Sequence, residues 1–330
     1  MTPSVSRPSS GGSNGPAIRT DDLAKRFGRT LALDGLTMTV ERGEVFGFLG
    51  PNGAGKTTAV KLLLGLARPT GGTARVLGAP IGDRPTRARI GYLPELFRYQ
   101  PWLRGREVLD LHAALGRMPR SRRRADIATA LGLVGLVDRA ESLVGTYSKG
   151  MQQRLGLAVA LLGSPELVFL DEPTSALDPV GRLAVRSIIR AARDRGTTVF
   201  LNSHLLTEVE RVCDRVAIVD EGRLIAAGRL DELLGAPVLR MRVTDAAPAV
   251  IAALAKFGRV EVEGDRLTID PIDPARVPDI VAAIVATGGR VHDVDAGRGS
   301  LEDRFVALVT GGAPVEPGPP GPPGAPGSPT

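Results

Sequence analysis

Five short runs in the first two thirds of the chain are apolar almost without a break: Val45–Leu49, Ile90–Leu93, Leu167–Leu170, Thr198–Leu201 and Val216–Val219. Continuous rather than alternating hydrophobicity predicts strands covered on both faces, as in a mostly parallel sheet. The segments between them have helical periodicity, so the predicted class is α/β. From about 96 to 147 the chain is rich in Arg and Leu, with helical spacing and no convincing strand, which predicts a helical insert. After Pro237 the texture changes. Val238–Val243 and Val260–Asp270 read as strands, Ala247–Phe257 and Ala275–Thr287 as helices, Val291–Val294 as a last strand and Leu301–Val309 as a closing helix. The pattern therefore predicts a large domain over 17–236 and a small α+β domain over 237–312, the latter without a catalytic cluster. Residues 1–16 and 313–330 are dominated by Pro, Gly and Ser and read as disordered tails.

Composition changes this picture little. Hydrophobic residues make up 43% of the 330 and charged residues 24%, ordinary values for a packed chain. Of 42 basic residues five are Lys, so 42 − 5 = 37 are Arg, and the net charge is only +6. That balance does not point to a nucleic-acid partner. The run Arg117-Met-Pro-Arg-Ser-Arg-Arg-Arg124 reads as a solvated loop, with an acidic partner or lipid headgroups as the alternative. The single cysteine, Cys213, excludes an internal disulfide and fits a reducing compartment. No stretch offers 18 uninterrupted apolar residues, since the best, 155–170, contains Gly156, Gly163, Ser164, Pro165 and Glu166. No secretory signal is expected either.

Four of the five apolar runs lead directly to residues able to do chemistry, where α/β proteins place their sites. After Leu49 comes Gly50-Pro51-Asn52-Gly53-Ala54-Gly55-Lys56-Thr57-Thr58, which fits G-x-x-x-x-G-K-[ST] and opens a helical run. In such a loop backbone N–H groups wrap phosphates, Lys56 supplies positive charge, and the Thr57 hydroxyl can ligate Mg²⁺. Glu95 follows the second run. The third ends in Asp171-Glu172-Pro173, where Asp171 is a Mg²⁺ candidate and Glu172 a candidate base for an attacking water. His204 follows the fourth, placed to keep Glu172 and the water aligned. Finally, Ser148 precedes an apolar stripe at 151, 155, 158, 159 and 162, so it stands at a predicted helix N-terminus, where anions are stabilised.

In order and spacing, "GPNGAGKTT" at 50–58, "YSKGM" at 147–151, "LVFLDEP" at 167–173, "SALD" at 175–178 and "SH" at 203–204 resemble the ATP-binding subunits of ABC transporters. "YSKGM" in place of "LSGGQ" and the closing "SLEDRFVALVTG" (300–311) are similar to the drug-export branch, the daunorubicin/doxorubicin-resistance type. The resemblance implies a P-loop NTPase with a helical insert that uses ATP and Mg²⁺. It implies that Phe27 stacks on adenine and that Thr58 contacts the α-phosphate. Glu95, where most members have glutamine, would join Thr57 and Asp171 at Mg²⁺ and link the site to a membrane subunit. Ser148 and Gly150 would contact the ATP held by a second copy, and Asp178 would communicate between the two sites. A homodimer driving a separate membrane permease follows, at the cytoplasmic face of the membrane, exporting a drug, antibiotic or lipid-like compound. A soluble ABC-type ATPase acting on ribosomes or DNA is the alternative. No Asn-Lys-x-Asp motif supports a GTPase.

Overall fold

The computed structural model describes residues 15–302 except 176, 246–247 and 298–299, together with 304, 305 and 308. Nearly all of the expected tails, and much of the expected closing helix, lie outside the described residues. The chain divides into two compact units after Ala227. The sequence pattern puts that boundary at 236/237.

The larger unit is built on two sheets. Strands β1 (Ile18–Phe27) and β2 (Thr30–Val40) pair antiparallel and precede β3 (Val45–Leu49), whose residues are all buried. After β3 come α1 (Lys56–Leu63), β4 (Gly71–Val76), β5 (Ala79–Pro80), α2 (Arg84–Arg87) and β6 (Ile90–Leu93). The four strands β2-β1-β4-β5 form one antiparallel sheet. Hydrophobic patterning missed this sheet. The ladder of β1 breaks register three times against β2 and once against β4, so its inward positions follow neither strict alternation nor a continuous run.

The helical insert contains α3 (Gly105–Leu115) and α4 (Arg120–Leu133), followed by two short 3₁₀ turns and α5 (Lys149–Ala160). The chain then returns to the core through β7 (Leu167–Asp171), α6 (Pro179–Asp194), β8 (Thr198–Asn202), α7 (Leu206–Val212), β9 (Arg215–Asp220) and β10 (Arg223–Arg229), which crosses the boundary at Ala227, and α8 (Leu230–Leu233) lies beyond it. The second sheet has the order β10-β9-β3-β8-β7-β6, and its five strands from β9 to β6 run parallel. A two-residue link from β9 to β10 makes that edge pair antiparallel, so the sheet is mixed but mostly parallel.

Ring contacts lock the three strands that end at the site. Phe200 of β8 lies 5.8 Å from Phe46 and 5.3 Å from Phe48 of β3, and 5.1 Å from Phe169 of β7. All four rings are essentially inaccessible to solvent. Each contributes about 2–3 kcal/mol by burial alone, so the carboxyl ends of β3, β7 and β8 are held at fixed separations.

The smaller unit runs β11 (Val238–Thr244), α9 (Pro248–Leu254), β12 (Arg259–Glu263), β13 (Arg266–Asp270), α10 (Val277–Ala286) and β14 (Arg290–Gly297). Its antiparallel sheet has the order β12-β13-β11-β14, a ferredoxin-like split β-α-β arrangement. The sequence reading of 260–270 as one strand is corrected here. Gly264 takes φ +63°, and the segment turns back on itself as the β12–β13 hairpin. Leu239, Met241, Leu267 and Ile269 are buried with Val250, Leu254, Ile280 and Ile284, giving this unit its own core. No helix among the described residues is long and apolar enough to cross a membrane.

Candidate functional site

Between β3 and α1 the loop passes so close to its neighbours that two positions accept only glycine. A Cβ on Gly50 would meet the Val219 carbonyl oxygen at 2.2 Å. Gly55 takes φ +94°, and its Cβ would meet the Ala32 carbonyl at 2.3 Å. Lys56, the first residue of α1, is buried. Its ammonium donates to the carbonyl oxygens of Gly50 (2.7 Å) and Pro51 (3.0 Å), leaving one of three N–H donors. Burial pulls this ammonium below its ordinary pKa, against the opposing charges of Glu172, Asp171 and Glu95. In the same loop and first helical turn, Ala54 is buried, Thr58 half-buried, and Asn52, Gly53 and Thr57 exposed.

Asp171 ends β7 and is 4% exposed. Burial pushes its carboxyl above the ordinary range, and the charges of Glu95 and Glu172 add to that. A hydrogen bond from the Asn202 amide, and the charge of Lys56, work the other way. Glu172 is next, in the left-handed region at φ +51°, which costs a non-glycine residue about 1–2 kcal/mol. This conformation turns its carboxylate toward β8. Oε1 accepts from the His204 backbone N–H at 2.9 Å and lies 2.7 Å from His204 Nδ1. Oε2 is buried and has no hydrogen-bonding partner among the described residues. The His204 ring is about half exposed, and its Nε2 has no partner among the described residues.

Lys56, Asp171, Glu172 and Glu95 thus act on one another electrostatically, with His204 bonded to the cluster through Glu172. Phe27, Ser148, Gly150 and Asp178 do not join it. Phe27 ends β1 with its ring 53% exposed and the Lys25 ammonium 4.8 Å from the ring centroid. Ser148 caps α5, its hydroxyl accepting from the Met151 N–H at 3.2 Å, and it is exposed. Gly150 lies in the first turn of that helix. Asp178 caps α6, accepting from the Gly181 N–H at 2.7 Å.

Comparison with known proteins identifies the family. A family model described as "ABC transporter" matches residues 33–175. A daunorubicin/doxorubicin resistance ATP-binding protein of Streptomyces peucetius is 39% identical over 304 residues, covering 88% of this chain and 92% of its own. This chain belongs to the ABC transporter family. A bacitracin transport ATP-binding protein of Bacillus licheniformis is 36% identical over 302 residues, 89% of this chain and 98% of the relative. A solved structure titled as the ATP-binding subunit of an ABC transporter superposes with a TM-score of 0.60 at 30% identity, covering 66% of this chain and 91% of that one.

As an ABC transporter ATPase, the chain binds ATP and hydrolyses it to power transport. For a metal it offers a sparse set, two carboxylates (Asp171, Glu95) and the Thr57 hydroxyl. Among the described residues no three His, Cys, Asp or Glu side chains converge on one point. A cation beside Asp171 would offset the charge that burial disfavours there, and Mg²⁺ takes few protein ligands beside substrate phosphates.

Two participants escaped sequence reasoning. Asn202 is buried at the end of β8 and orients Asp171. A polar residue closing the apolar run "TVFLN" was the available signal. Gln153 on α5 donates to the Pro173 carbonyl at 2.8 Å, tying the helix capped by Ser148 to the segment beyond Glu172. No sequence signal marks that contact.

Proposed function

We propose that two copies of this ABC transporter ATPase close head to tail on two ATP molecules, and that hydrolysis reopens them to drive a separate membrane permease. The exported compound is a drug, antibiotic or lipid-like molecule. This reading of the cargo draws on relatives named for daunorubicin/doxorubicin resistance and bacitracin transport, whose similarity runs through the C-terminal unit as well. The permease partner follows from those names together with the lack of a spanning helix among the described residues.

Within one half-site, the loop 50–55 and the N-terminus of α1 wrap the phosphates, Lys56 donates its remaining N–H, and Thr58 contacts the α-phosphate. Phe27, exposed at the end of β1, stacks on adenine. Thr57, Asp171 and Glu95 would hold Mg²⁺, which when bound neutralises phosphate charge. Ser148 and Gly150, at the N-terminus of α5, face the γ-phosphate held by the partner copy, and Asp178 lies between the two sites.

The observation that carries the hydrolytic reading is the Glu172–His204 contact of 2.7 Å. It holds one carboxylate oxygen still and leaves Oε2 without a hydrogen-bonding partner among the described residues, so its lone pairs are free for the role of base. Glu172→Gln keeps the shape and loses the base. Steady-state ATP hydrolysis is expected to fall by about 10²–10³-fold while ATP affinity stays within about threefold. Hydrolysis at the wild-type rate would remove Glu172 from this role.

A further inference from the structure

Two largely buried charges outside the phosphate site face each other between α6 and α7. Arg186 Nε lies 3.5 Å from Glu208 Oε2, with side chains 14% and 7% exposed. Neither atom has a hydrogen-bonding partner among the described residues. Taking two charges out of water costs more than an imperfect pair returns, and apolar residues of similar volume usually stabilise a fold at least as well. Net stability is therefore a poor account of this pair, and geometry a better one.

What the two helices carry makes the geometry matter. α6 begins at its cap Asp178, about two turns before Arg186. α7 begins at Leu206, two residues after His204, and Glu208 sits in its first turn. One turn further along, the Arg190 guanidinium donates to the Arg211 carbonyl, so α7 is tethered to α6 at both ends. A shift of α7 along α6 would carry His204 with it and change its grip on Glu172.

We propose that the buried Arg186–Glu208 contact is a positioning pair for ATP hydrolysis: it fixes α7 against α6 and so holds His204 on Glu172, in step with Asp178. It rests on the reading of Glu172 and His204 given above. The pair stands outside the phosphate site and acts only through His204.

The test uses the full chain, measuring melting temperature and the ATP dependence of hydrolysis for four variants: Glu208→Gln, the apolar double Arg186→Met/Glu208→Leu, His204→Ala, and His204→Ala combined with Glu208→Gln. Glu208→Gln is expected to lower kcat about tenfold with KM for ATP unchanged within about twofold. The apolar double should keep the wild-type melting temperature yet show the same loss of kcat. In the His204→Ala background Glu208→Gln should cost nothing further, because both changes remove one function. Wild-type kcat in Glu208→Gln, or losses that multiply with His204→Ala, overturns the proposal. If the apolar double does not fold, the near-isosteric Glu208→Gln and its cycle with His204→Ala decide alone. Full hydrolysis by His204→Ala would instead overturn the reading of the site itself, a result distinct from failure of the pair.

Discussion

Burial of Asp171 sets a pH dependence that one substitution exposes. Its folded pKa is raised, chiefly by burial, from an ordinary 3.8. A raised pKa contributes stability fully below the unfolded value, and that contribution is lost as pH rises through the folded value. Asp171→Asn, neutral throughout and still able to accept from Asn202, should therefore match wild type below about pH 4 and melt higher near pH 7, without bound nucleotide. A melting-temperature difference that does not grow with pH would contradict the assignment of burial as the main cause. At this scale the phosphate loop was legible because all its residues are contiguous, and Gly50 and Gly55 are fixed by the close approach of Val219 and Ala32. The partners of Asp171 and Pro173 were not, since Asn202 and Gln153 reach them only through tertiary packing.

Helix α5 is the element on which the two-chain reading turns. Its cap is ordinary: Ser148→Ala should cost about 1 kcal/mol of stability through the lost bond to the Met151 N–H. What the proposed site adds is that the phosphate facing this helix belongs to another copy. Lys56→Ala disables a chain's own loop, and Ser148→Arg disables what it offers its partner. Each variant alone should be inactive. Mixing them should restore hydrolysis, because one site of the mixed dimer then combines an intact loop with an intact α5. No recovery on mixing would show that each chain works by itself. Elements with a single clear period, such as β3, β7 and β8, were read correctly from hydrophobicity. The register breaks of β1 hid the antiparallel sheet, and the turn at Gly264 was overlooked within a run that alternates on both sides of it.

Over the whole molecule, the apolar runs conveyed the α/β class and the order of motifs the ATPase activity, because the phosphate loop, the Asp171-Glu172 pair and His204 each stand at the end of a strand of one sheet. The C-terminal unit was legible as α+β but not as the order β12-β13-β11-β14, which depends on pairings between strands far apart in sequence. The central claim is that ATP brings two of these chains together, and the most direct test is the mass of Glu172→Gln by light scattering with and without ATP and Mg²⁺. Without nucleotide the account predicts one chain of 34.6 kDa, and with nucleotide twice that mass. A single-chain mass with ATP demonstrably bound would contradict it.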